Sequence, residues 1–93
     1  MKVDVSEILE NAKDDLKEVL EEGIEGMVES HCEAWKERYY RKSVDDISFD
    51  LNVNHDVSLE LEYVEEQLGR KLEDGEPEIV EQYFNESVLN EFR

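Results

Sequence analysis

VDDISFDLNVNHDVSLELEY, residues 44–63, is where the periodicity of this chain changes. Ile47, Phe49, Leu51 and Val53 alternate with Ser48, Asp50 and Asn52, the two-residue period of a half-buried strand. Asn54-His55-Asp56 supplies turn chemistry, and Val57, Leu59, Leu61 and Tyr63 then alternate with Ser58, Glu60 and Glu62. The pattern predicts an antiparallel β-hairpin with Asp50, Glu60 and Glu62 on its outer face. A rival stripe at helical spacing, Val57, Leu61, Val64, Leu68 and Leu72, runs through the second half. The reading adopted places strand up to Glu62 and a short helix from Tyr63 to Leu72.

Before this stretch the period is helical from Asp4 to Lys42. Asp4 and Glu7 stand in the capping-box relation, with Val3 and Ile8 at the positions of a hydrophobic staple and Ser6 as a competing cap. Val5, Ile8, Leu9, Ala12, Leu16, Val19 and Leu20 then recur at steps of three and four. Gly23 and Gly26 interrupt the run, each at a cost of roughly 1 kcal/mol against alanine inside a helix. Beyond them a second face, Ile24, Met27, Val28, His31, Cys32, Trp35 and Tyr39, is rotated by about a quarter turn from the first. A kink or break near Gly23 lets both faces meet one core.

After the stretch, Glu73-Asp74-Gly75-Glu76-Pro77 reads as a break, with Pro77 suited to the first position of a helix. Ile79, Val80, Tyr83, Phe84, Ser87 and Val88 mark a last amphipathic helix ending near Glu91. A hairpin alone is marginal, so helices must cover its apolar face. The expected fold is α+β in the order α–α–β–β–α–α, one domain over residues 1–93. Leu, Ile, Val and Phe number 26 of the 93 residues, enough for a modest core.

The charge is the chain's other distinguishing property. Asp and Glu total 27 against 10 Lys and Arg, a net charge of −17. Asp14, Glu18, Glu22, Glu25, Glu29 and Glu33 form a row at steps of three and four along the first two helices. Like charges so spaced repel by a few tenths of a kcal/mol per pair, and only Lys36 enters the row, at its end; taken alone, the row reads as a solvated face rich in a good helix former, or else as a surface built to be negative. Four of the ten basic residues gather in Lys36, Arg38, Arg41 and Lys42, interleaved with Trp35, Tyr39 and Tyr40. Such interleaving can bind nucleic acid, but cations in the last turns of a helix also complement its dipole. In so negative a chain the second reading is the simpler one. The net charge argues against direct contact with DNA, RNA or an anionic membrane, and for a basic partner.

No catalytic or cofactor motif is present. His31 and Cys32 lie between Glu29 and Glu33, but adjacent helical residues diverge and no CxxC or HxxxH spacing occurs, so no metal or cofactor is expected. Asp50-Leu51-Asn52-Val53-Asn54 begins like a calcium loop but has His55 where glycine is needed. With 27 acids, a carboxylate pair is no sign of acid–base catalysis, and the chain is read as non-enzymatic. A single cysteine fits a reducing cytosol. Met1-Lys2-Val3 leads directly into an acidic amphipathic helix, so neither a signal peptide nor a membrane span is expected.

In size and charge the whole chain resembles the small acidic phage proteins that block restriction enzymes and CRISPR effector complexes. The resemblance is one of composition and carries no motif. It implies a nucleic-acid mimic acting in a host cytosol on a basic nucleic-acid-binding defence protein. Its contacts would be Asp14, Glu18, Glu22, Glu25, Glu29 and Glu33, supported by Asp50, Glu60 and Glu62. One helix face repeating every ~5.4 Å is sparser than the charge of duplex DNA, one per ~1.7 Å, so other elements must contribute. The alternatives are an acidic interaction module without mimicry and an acid-rich protein adapted to high salt. An extended helix ending in Trp35 and Tyr39 is also compatible with a homodimer.

Overall fold

The computed structural model describes residues 3–93, and every regular element among them is helical. A 3-10 helix over Val5–Leu9 precedes α1 (Asp14–Gly23), α2 (Glu25–Tyr39), α3 (Val44–Asn54), α4 (Ser58–Leu68) and α5 (Glu76–Phe92). The expected α+β fold is therefore wrong: the alternating stretch is not a hairpin but α3 and α4, joined at His55-Asp56-Val57. The expectation resting on Met1-Lys2 lies outside the described residues.

The reason is visible in which residues are covered. In α3, Ile47, Asp50 and Leu51 are buried while Phe49 and Val53 are exposed. Steps of three and four, not two, select the core side. An alternating pattern of four apolar residues supports either geometry locally, because a helix also separates 47 and 51 from 49 and 53. The start of α3 settles the matter: the Ser43 hydroxyl accepts the Asp46 amide N–H at 3.2 Å, and Asp45 and Asp46 complement the helix N-terminus. In α4 the rival stripe prevails, with Val64 fully buried and Leu61 and Leu68 packed against the core. Gly69, at φ 73°, ends α4 in the left-handed conformation that favours glycine.

Elsewhere the helical periodicity translates directly into packing. Asp4 caps the start by accepting the Ser6 amide, but the helix expected to run on from it to Gly23 is broken: a 3-10 turn ends at Leu9 and the chain re-enters a helix only at Asp14. Ile24 breaks α1 from α2, and Leu16 and Leu20 before the break and Ile24 and Val28 after it all reach one core. Helix α5 lies at the centre, touching the 3-10 helix, α2, α3 and α4, with Val80, Phe84 and Val88 fully buried. Around Phe84 gathers an aromatic cluster of His31, Trp35, Tyr39, His55 and Phe92. No helix among the described residues is long and apolar enough to cross a membrane. The molecule measures 39 × 24 × 21 Å along its principal axes.

Candidate functional site

Burial and pairing sort the acidic residues into two sets. Asp50, Glu60 and Glu76 are buried and Glu65, Glu81 and Glu86 half-buried, whereas the rest of the 27 are exposed. Arginines serve the first set, although Arg70 also reaches exposed Asp15 and Lys13 pairs with exposed Glu73. Arg38 pairs with Asp50 at 3.0 Å, and Arg70 reaches Glu76 at 2.8 Å and Asp15 at 3.1 Å. Arg93 holds Glu86 at 3.1 Å, while Lys13 is paired with Glu73. Asp14, Glu18, Glu22, Glu25, Glu29 and Glu33 are all exposed, and among the described residues none of them pairs with a cation or accepts a side-chain hydrogen bond.

The surface on either side of α1 is acid-lined. Toward α4 a cleft is bordered by Asp15, Glu18 and Glu22, and toward α5 another by Glu21, Glu25 and Glu91. Their field acts on the protein itself: the Tyr83 hydroxyl, in the wall of the second cleft, has its pKa raised by burial and further by Glu21 and Glu25. Sequence reasoning missed Asp15, Glu21 and Glu91. The first two were legible as acids one position from the row on the same helix, whereas Glu91 comes from α5 and only folding brings it near.

Two expected contact residues change role. Asp50 and Glu60 belong to the buried faces of α3 and α4, not to an exposed hairpin edge, because a helical period turns them inward. Asp50 accepts Asn54 Nδ2 at 2.6 Å and the Arg38 guanidinium at 3.0 Å, and the Asn54 bond and Arg38 charge lower its pKa against the opposing effect of burial. Glu60 lies 3.1 Å from His55 Nε2, and its other oxygen is buried without a partner. Glu62 remains exposed on α4.

The nucleophiles and bases are quiet. Burial pushes the Cys32 thiol up to about 11, with Glu91 and Glu29 adding to it, which leaves a protonated, unreactive group at neutral pH. Burial beside His55 lowers His31 to about 4, so its ring is neutral. Arg38 lies 4.5 Å over the Trp35 ring and is tied to Asp50, so the basic cluster is partly engaged within the fold. Among the described residues no group of three or more His, Cys, Asp or Glu side chains is arranged to hold a metal ion. What the surface offers chemically is a set of free carboxylates to bind cationic groups. Comparison of the chain with protein-family models, with curated proteins and with solved structures gives no match in any of the three.

Proposed function

We propose that the chain is a non-enzymatic acidic inhibitor whose α1–α2 face stands in for a nucleic-acid backbone and occupies the basic groove of a nucleic-acid-binding defence protein. The observation that carries this reading is the allocation of charge: Arg38, Arg70 and Arg93 bond carboxylates in the interior or at its edge, and the exposed row is left unpaired among the described residues. A fold selected for stability alone would intersperse lysine at i+4 along α1 and α2. The density is also adequate once the whole body is counted. A net −17 over a 39 Å axis is one charge per about 2.3 Å, against one per ~1.7 Å of duplex, and 39 Å is close to the ~34–36 Å of one duplex turn. Such a surface gives fast, steered and salt-sensitive association with a basic groove.

The test is capture with tagged protein from nuclease-treated bacterial lysate containing restriction and CRISPR complexes, with stepwise salt elution. Capture of a nucleic-acid-binding complex, displaced by added DNA or RNA and lost with Glu22, Glu25, Glu29 and Glu33 all changed to Gln, supports mimicry. Full binding by the fourfold variant removes the row from the interface.

A second reading has its own support. Phe49 and Val53, one turn apart on α3, are 67% and 60% exposed, an apolar pair of the kind that docks on a protein partner. An acidic interaction module without mimicry would keep its partner at high salt and lose it on Phe49→Ser.

A further inference from the structure

Where α1 gives way to α2, a cleft of about 290 Å³ separates them from α5. Glu21 and Glu25 border it on one side and Glu91 on the other, and Ile24 and Val28 belong to its apolar floor. The three carboxylates are exposed, and none makes an ion pair among the described residues. Exposed acids alone are only surface charge. What distinguishes this place is Tyr83, whose side chain lines the cleft from α5. Tyr83 is 9% exposed, yet its hydroxyl makes no hydrogen bond among the described residues. Among those residues the unpartnered side-chain oxygens closed off from solvent are Glu60 Oε2 and Asn85 Oδ1. The Tyr83 oxygen is unpartnered but open, and it opens on the cleft.

A buried tyrosine ordinarily finds a partner for its hydroxyl. Here the charges acting on that hydroxyl are Glu21 and Glu25, which are acceptors, so the chemistry that complements the cleft is a donor carrying positive charge. A metal ion does not fit, because among the described residues no three acidic, His or Cys side chains are arranged to hold one. An ammonium on an aliphatic stem does. Its three N–H donors point in different directions, as acceptors on α1, α2 and α5 require, whereas the flat fork of a guanidinium suits a single carboxylate approached edge-on. Its methylenes can lie on Ile24 and Val28 while the head stays at the wet rim. We infer that this cleft receives one lysine side chain of the basic partner, its ammonium held by the Tyr83 hydroxyl between Glu91 and the Glu21–Glu25 pair. The inference rests on the partner being basic, as proposed above, and adds a shaped contact to the diffuse attraction of the acidic row.

The experiment titrates Nα-acetyl-lysine methylamide into isotopically labelled full-length protein at roughly 150 mM salt, where diffuse attraction is screened beyond about 8 Å. The Tyr83 ring and the Ile24 and Val28 methyl signals are followed by NMR. Saturable shifts at these residues are expected, with binding at least about tenfold weaker for the uncharged ε-acetylated probe and for Tyr83→Phe, the loss typical of a hydrogen bond to a charged group. Tyr83→Phe keeps the ring and every charge, so that loss cannot come from the general field. Glu21→Gln with Glu91→Gln should weaken the probe, and Glu18→Gln with Glu22→Gln, which removes the same charge outside the cleft, should leave it bound. Unchanged binding by Tyr83→Phe, or equal losses in the two double variants, would overturn the site. Tighter binding of the arginine analogue would overturn the choice of lysine, and putrescine bound more than about a hundredfold tighter would reassign the cleft to a free polyamine. The titration needs no macromolecular partner, so the lysine site can fail while capture by the acidic row stands, and the reverse.

Discussion

Lowering the pH from 7.5 to 4.5 should destabilise this protein through His31 in particular. The ring is 8% exposed, stacked on Trp35 at 5.7 Å, edge-on to Phe84 at 5.5 Å, and 3.4 Å from the Tyr39 hydroxyl. Burial, then the neighbouring His55, lowers its pKa from 6.5 to about 4, while Asp50 acts in the opposite sense. Above pH 6.5 the ring is neutral in both folded and unfolded chains, and its full contribution is present. Below 6.5 the unfolded chain takes up a proton that the folded chain refuses, so stability falls until the pH reaches about 4. The interval corresponds to at most ~3 kcal/mol at 1.36 kcal/mol per unit. Because His31 lines a cleft that opens to solvent, screening reduces this to an expected ~2 kcal/mol. Urea unfolding followed by far-UV circular dichroism at pH 7.5, 6.5, 5.5 and 4.5, on wild type and His31→Phe, isolates the effect. The difference in stability between the two proteins should shift by ~2 kcal/mol in favour of the variant across this range. If both proteins lose stability in parallel, or if the folded-state ring titrates above pH 6 by NMR, the reasoning is refuted.

Arg70 ties α1 to the start of α5, since one guanidinium bonds Asp15, Glu76 and the Lys71 carbonyl. Arg70→Ala should lower Tm by roughly 10 °C, because it strands Glu76, and adding Glu76→Gln should restore part of the loss; a purely additive double variant in calorimetry would contradict this. The Arg70 bond lowers the pKa of Glu76, so the gap between wild type and Arg70→Ala is present above the ordinary value of 4.5 and should close as pH falls below it. Gly26→Ala should raise stability by ~0.5 kcal/mol, since the added Cβ meets only open space on a helix; a loss in urea unfolding would mean that Gly26 is constrained by something other than its backbone.

The helical part of the fold was legible because its periodicity was unambiguous. Leu16 and Leu20 before Gly23 and Ile24, Val28, His31 and Tyr39 after it were identified as one rotated pair of faces, and all are buried. The break itself came at Ile24, next to the glycine that signalled it. Residues 44–63 failed because apolar residues at every second position satisfy a strand locally, while the opposing signals were short. Ser43 with Asp46 is a capping pair, and Asp56 accepts the Ser58 amide at 2.9 Å just before α4 begins. Those two starts outweigh the alternation, and their cost is displayed openly: Phe49, Val53 and Leu59 are the strand-like residues left in solvent. The same error moved Asp50 and Glu60 to the wrong side. The acidic row lay wholly within the unambiguous part, and its exposure could be read in advance; its lack of partners depended on where Arg38, Arg70 and Arg93 would fold.

That dependence bears on how the charge should be understood. A chain that was acidic merely for solubility would gain from pairing its exposed carboxylates with whatever lysines it had. Here Lys17 stands beside Glu18 and Glu21 in sequence yet makes no ion pair among the described residues, and Lys36, Arg41 and Lys42 make none either. The arginines Arg38, Arg70 and Arg93 are instead bonded to carboxylates in the interior or at its edge. Desolvated acids need a partner, whereas exposed ones are served by water, so this division stabilises the fold while leaving the outer field intact. Repulsion along α1 and α2 is then the residual cost, and it is one that a basic partner relieves on binding. High salt should therefore raise the stability of the free protein while weakening its complex, two opposite responses with one electrostatic origin. A complex strengthened by salt would place the interface on Phe49 and Val53 and away from the row.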